Sequence, residues 1–201
     1  MCMYKKLETF LDGFGPLSED DRNVLRSVLT IERFDQGYYL WKAGQRDEKI
    51  FFVNEGLVRL FFFDEKGDEI TVHFISEKNF VADPGTFSTS APLAVSAVVE
   101  KESEILVLDQ LAQKRLEQEF FDWRVLLRKI VERTLFEKVK LRNRLVQASA
   151  KEKFEIFLSA FPGAANYLKA ADVASFLGIS QYTLSHLKKE LVSNNSLHHK
   201  N

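Results

Sequence analysis

Residues 170–189 read A-A-D-V-A-S-F-L-G-I-S-Q-Y-T-L-S-H-L-K-K. In this twenty-residue frame Ala174, a small residue, stands four before Gly178, and apolar residues fall at Val173, Leu177, Ile179, Leu184 and Leu187. Each has a task in a helix-turn-helix. Ala174 lets a second helix approach closely, and Gly178 supplies the positive φ that turns the chain sharply. The five apolar residues form the core between the two helices. Ser180 is a good N-cap for the second helix. Gln181, Tyr182, Ser185, His186 and Lys189 are left on an outward face. Together with Ser180 and Lys188 they form a candidate DNA-binding set, because residues near the start of such a helix reach base edges and phosphates. Packing of three helices without any ligand also produces this Ala–Gly–Leu spacing.

Charge supports the first reading. The chain has 201 residues and a formal net charge of −1, yet residues 1–122 carry −9 and residues 123–201 carry +8. A basic half joined to an acidic half suggests a polyanionic partner, although a solvated basic helix face gives the same count. Upstream of the motif, residues 122–147 run about 26 positions without Gly or Pro, or ~39 Å as a helix. Val125, Leu127, Ile130, Val131, Leu135, Val139, Leu141 and Leu145 recur along it. So long an apolar stripe in a small protein suits packing on the same helix of a second chain. Leu127, Ile130, Val131, Leu135 and Val139 are the candidate dimer contacts.

From residue 31 to about 109 the texture is that of strands. Short runs such as 51–53, 57–63, 70–75, 95–99 and 104–108 are separated by turn signals, among them Asn54-Glu55-Gly56 and Asp64 to Asp68. This spacing predicts an antiparallel sandwich or barrel. Helical spacing returns over residues 5–29, where Gly15-Pro16 breaks the pattern and Ser18 with Asp21 starts a second helix. It returns again at 110–119 and 149–160, before Pro162-Gly163. The predicted division is 1–120, a linking helix 121–147, and a helix-turn-helix domain 148–201. The class is α+β.

Composition narrows the function. No stretch nears the ~20 apolar residues of a membrane helix, and the first residues lack a secretory apolar run, which predicts a cytoplasmic protein. Cys2 is the only cysteine, so neither an internal disulfide nor a cysteine metal cluster is available. Only His73 lies in the β-rich part. His186, His198 and His199 are C-terminal, so no histidine set suits a cupin-like metal enzyme. No phosphate loop and no nucleophile elbow is present. No enzyme activity, metal or cofactor is expected.

A β-rich first part, a long central helix and a C-terminal helix-turn-helix together resemble the Crp/Fnr family of bacterial transcription regulators. Gly37 to Gly44 and Phe51 to Arg59 resemble that family's opening strands and glycine turns. The resemblance spans about residues 5–192 and is to its compact members. It implies a β-roll effector domain, a homodimer through the long helix, operator binding on double-stranded DNA, and a small-molecule effector. RNA polymerase is a further candidate partner.

Two departures stand out. Family members that bind cyclic nucleotides carry a Gly-Glu pair and, some ten residues on, Arg-Ser or Arg-Thr. An ungapped match puts Ala82-Asp83 and Leu93-Ala94 at these effector-pocket positions. Leu93 cannot neutralise a phosphate, and an unpaired buried charge costs several kcal/mol, so cyclic AMP is not expected to bind in the usual way. Arg59 or Lys101 would have to reach in instead. Second, only ten mostly polar residues follow Leu191, too few for the β-hairpin wing that usually follows the recognition helix, so the wing is expected to be absent or truncated. The recognition helix also lacks the arginines that read guanine. The competing reading is a sensor or protein-interaction dimer of the same fold that has lost specific DNA binding.

Overall fold

A computed structural model describes residues 3–45, 49–82, 95–120 and 122–198, with side chains through Leu191. Helices α1 (Lys5–Asp12) and α2 (Glu19–Val28) come first. Six strands follow: β1 (Thr30–Phe34), β2 (Tyr39–Trp41), β3 (Ile50–Phe63), β4 (Glu69–Ser76), β5 (Asn79–Ala82) and β6 (Ser96–Leu108). The rest is helical: α3 (Gln110–Glu119), α4 (Trp123–Gln147), α5 (Ala150–Ala160), a 3₁₀ turn (Ala164–Asn166), α6 (Ala170–Leu177) and α7 (Gln181–His198). The class is α+β, as the sequence pattern indicates.

The helix starts follow from capping chemistry. Ser18 accepts from the Asp21 amide while the Asp21 carboxylate accepts from the Ser18 amide, and Ser149 and Glu152 repeat this reciprocal pair at α5. Each box satisfies two amides that a helix start leaves unpaired.

The strands form one six-stranded sheet with the path β1-β6-β3-β4; β2 also pairs with β6, and β5 with β3. The β1–β6, β2–β6 and β3–β5 pairs are antiparallel. One buried cluster is drawn from all six strands and no helix: Phe34, Leu40, Trp41, Phe51, Val53, Val58, Ile75, Val81, Ala97, Val99, Ile105 and Val107. That face packs only on strands, so the single sheet folds over on itself as a roll. Ile50, Phe52, Leu106 and Leu108 join a second cluster with residues of α1 to α4.

Two strand boundaries differ from the sequence expectation. Asn54-Glu55-Gly56 is no turn: β3 runs through it from 50 to 63. Gly56 has φ 128, and a Cβ there would lie 1.9 Å from Ser103 Oγ. The glycine therefore permits a close approach to β6 rather than a reversal of direction. The two runs expected at 95–99 and 104–108 are likewise one strand, β6.

The chain divides into two compact units, Met1–Leu60 with Phe74–Phe136, and Phe61–His73 with Glu137–Asn201. The second unit thus comprises the tip of the β3–β4 hairpin and the C-terminal helices, and the division falls within α4. Among the described residues no helix is long and apolar enough to cross a membrane.

Candidate nucleic-acid interface

The site is built on the turn between α6 and α7. Gly178 ends α6 in the left-handed region (φ 61, ψ 43), and its amide donates to the carbonyls of Ala174 and Ser175. The Ile179 amide then donates to the Ala174 carbonyl at 3.1 Å. This closes the last turn of α6 and redirects the chain, as glycine allows at low cost. Ser180 opens α7: the Thr183 amide donates to Ser180 Oγ at 3.0 Å, and the two hydroxyls lie 2.8 Å apart. Val173, Ala174, Leu177, Leu184 and Leu187 are buried between the helices, with Phe154, Phe157 and Leu168. Ile179, expected among them, is only half-buried.

On the other side of α7, Gln181, Tyr182, Ser185, His186 and Lys189 are exposed. At 100° per residue they cover an arc of about 140°, one continuous face. Tyr182 is 82% exposed, the most exposed large apolar side chain in the described structure. His186 Nδ1 lies 3.3 Å from Glu190 Oε1, one turn on. Lys188 lies off this face: it is half-buried and its ammonium donates to the Ala165 carbonyl at 3.1 Å. Ser180 is exposed, but its hydroxyl is engaged in the cap. The helix continues to His198, beyond the Leu191 limit expected from the sequence.

The hairpin tip packs within the same unit. The Thr71 amide donates to Ser175 Oγ at 3.0 Å, and that hydroxyl lies 3.3 Å from the Glu69 carbonyl. The half-buried His73 ring meets Phe161 and Phe176, with centroids 6.4 and 6.2 Å away. Burial first, and the Lys138 ammonium second, push its pKa down to about 3, so the imidazole is neutral at ordinary pH. Lys138 is itself lowered by burial. Nothing in the sequence spacing signals this packing, which joins residues about a hundred positions apart.

Of the effector-pocket positions, Ala82 ends β5, half-buried and paired with Ile50. Asp83, Leu93 and Ala94 lie outside the described residues. Arg59, considered as a substitute cation, is buried with its guanidinium on the Glu100 carboxylate. Both alternate with Val58 and Val99 of the roll interior, so both point to the opposite face. Arg59 is therefore turned away from the interior that it would have to reach.

Along α4 the apolar residues divide between two faces. Ile130 is 2% exposed within the helix-side core, and Leu127 packs against that core, so these two serve the chain's own packing. Val131, Leu135 and Val139 are exposed, and Val125, Phe136 and Val146 extend the same face. Phe136 and Val146 fall outside the stripe read from the sequence, and Val125 was in that stripe but not among the dimer contacts, because a single stripe does not describe a helix with two apolar faces.

Comparison with known proteins agrees with this architecture. Residues 31–119 match the cyclic nucleotide-binding domain family. The chain is 25% identical over 103 residues to the anaerobic regulatory protein of Bacillus subtilis, a match spanning 51% of this chain and 42% of that protein. A structure assigned to the Crp/Fnr family of transcriptional regulators, from Eubacterium rectale, superposes with TM-score 0.68 at 13% identity, covering 93% of this chain and 89% of that one. The c-di-GMP-responsive global regulator CLP of Xanthomonas campestris superposes with TM-score 0.66 at 14% identity, covering 89% and 93%. At these identities the superpositions show a shared fold and nothing more.

Proposed function

We propose that the chain is a cytoplasmic, homodimeric transcription regulator that binds double-stranded DNA through α7. The observation that carries this reading is the exposed row Gln181, Tyr182, Ser185, His186 and Lys189, held on a helix whose start is fixed by the Gly178 turn and the Ser180 cap. Lys189 supplies phosphate attraction and the first-turn side chains supply base contacts. The exposed face of α4, centred on Leu135 and Val139, meets its equivalent in a second chain. The two recognition helices then address half-sites about one DNA turn apart.

A small molecule in the β-roll would act by shifting the placement of those helices. Cyclic AMP is a poor fit for this role. Leu93 and Ala94 bring no phosphate-binding group by sequence, and the Arg59 guanidinium is committed to Glu100.

The test is fluorescence anisotropy with the full chain and labelled DNA from directly upstream of its own gene. It is run at two salt concentrations, against unlabelled scrambled DNA. Binding that survives the scrambled competitor and weakens steeply with salt supports the proposal, and added cyclic AMP is expected to leave it unchanged. The second reading, an interaction dimer without specific DNA binding, draws on the Glu190 carboxylate beside His186. It predicts no competitor-resistant binding at either salt.

A further inference from the structure

We infer that the operator half-site carries adjacent A·T pairs, with Gln181 reading adenine and Tyr182 covering a neighbouring thymine methyl. This deepens the proposed DNA-binding function and rests on α7 being the recognition helix.

The inference follows from which side chains α7 leaves available. In a helix-turn-helix the N-terminal residues of the second helix meet the base edges. Ser180 and Thr183 hydroxyls are spent on each other and on the cap. Lys188 is spent on the Ala165 carbonyl. His186 is drawn toward Glu190, one turn away from the helix start. Lys189 follows Gln181 by eight residues, about 12 Å along the helix, which places it over backbone phosphates rather than over the same base pairs. What remains at the start is Gln181, whose amide makes no side-chain hydrogen bond among the described residues, and Tyr182 with its ring 82% exposed.

These two groups have defined partners. A glutamine amide donates to and accepts from adenine at N6 and N7 together, whereas guanine presents two acceptors there and asks for Arg or Lys. No Arg occurs in α7 at all. A large exposed ring has an apolar face to bury, and among the major-groove edges only thymine offers a methyl. Gln181 and Tyr182 are sequence neighbours about 100° apart, so both can work in one short stretch of groove.

The experiment is selection of the full chain on duplexes randomised over the half-sites, followed by affinity measurements on the enriched sequence. Adjacent A·T pairs are expected. Changing the adenine read by Gln181 to guanine should weaken binding roughly 5- to 150-fold. Q181A should erase that difference, and Q181R should shift the preference to guanine. Replacing the thymine by deoxyuridine removes only the methyl and should weaken the parent chain but not Y182A. Enrichment of G·C pairs, or a Y182A variant still sensitive to deoxyuridine, overturns the inference while leaving DNA binding intact. Failure to enrich any sequence overturns the function it rests on as well.

Discussion

The amide of Thr71 donates to the hydroxyl of Ser175 at 3.0 Å, joining the β4 hairpin strand to the first helix of the helix-turn-helix across 104 residues of chain. Ser175 Oγ lies in turn 3.3 Å from the Glu69 carbonyl, so one hydroxyl serves two backbone groups of the hairpin. S175A should destabilise the second unit by about 1 kcal/mol, the usual net worth of such a bond, with more if the Thr71 amide stays buried and unpaired. Amide hydrogen exchange reads this directly. The Thr71 amide should exchange faster in S175A, and protection unchanged from the parent chain would show that the bond contributes nothing.

His73 gives the same region a pH dependence whose sign can be worked out. Its pKa is about 3 in the folded chain against an ordinary 6.5, because burial and Lys138 disfavour the imidazolium. Between these values the unfolded chain binds the extra proton, so the stabilisation is complete above pH 6.5 and is lost as pH falls toward 3. Urea midpoints at pH 7.5 and pH 4.5 should differ more for the parent chain than for H73F. K138Q should narrow the difference only in part, since burial is the larger cause.

Two glycines should respond to alanine for different reasons. At Gly178 a new Cβ meets only Lys153 Nζ, at 4.0 Å, so G178A costs the left-handed backbone alone, about 1 kcal/mol. At Gly56 the new Cβ would sit 2.4 Å from Ser103 Cβ as well as 1.9 Å from its Oγ, and no rotation of Ser103 relieves that. G56A should therefore cost more than G178A in chemical denaturation, and S103G should recover part of the loss. Equal costs would mean that β3 shifts away from β6 without penalty.

The two faces of α4 allow the proposed assembly to be tested separately from folding. Leu135 and Phe136 are 61% and 69% exposed, whereas Ile130 is 2% exposed. L135E is expected to give a folded monomer with weakened DNA binding, seen by light scattering and circular dichroism. I130E is expected to lose folded signal, since it places a charge in an apolar core. A dimeric L135E would remove this face from the interface.

These contrasts mark how far the sequence was readable. Local chemistry was: the Ser18–Asp21 box, the Gly178 turn and the Ser180 cap each follow from a few adjacent residues. Strand continuity was not, because Asn54-Glu55-Gly56 has the composition of a turn and only the proximity of Ser103 explains the glycine. Apolar spacing on α4 located the helix but could not say which residues its own core would claim, and Ile130 and Leu127 turn out to lie in or against that core. Three of the four effector-pocket positions, Asp83, Leu93 and Ala94, lie outside the described residues. The packing of His73 against Phe161 and Phe176 depends on tertiary structure alone.

Residues 61–73 are counted with the C-terminal helices, and this bears on how the protein can be taken apart. A fragment beginning at Glu137 would include all of α5, α6 and α7 and still be incomplete. Phe161 and Phe176 would lose the ring that covers them, and Ser175 would lose both backbone partners. The α5–α7 portion is therefore not a detachable cartridge, and grafting it onto another protein would require the hairpin to travel with it.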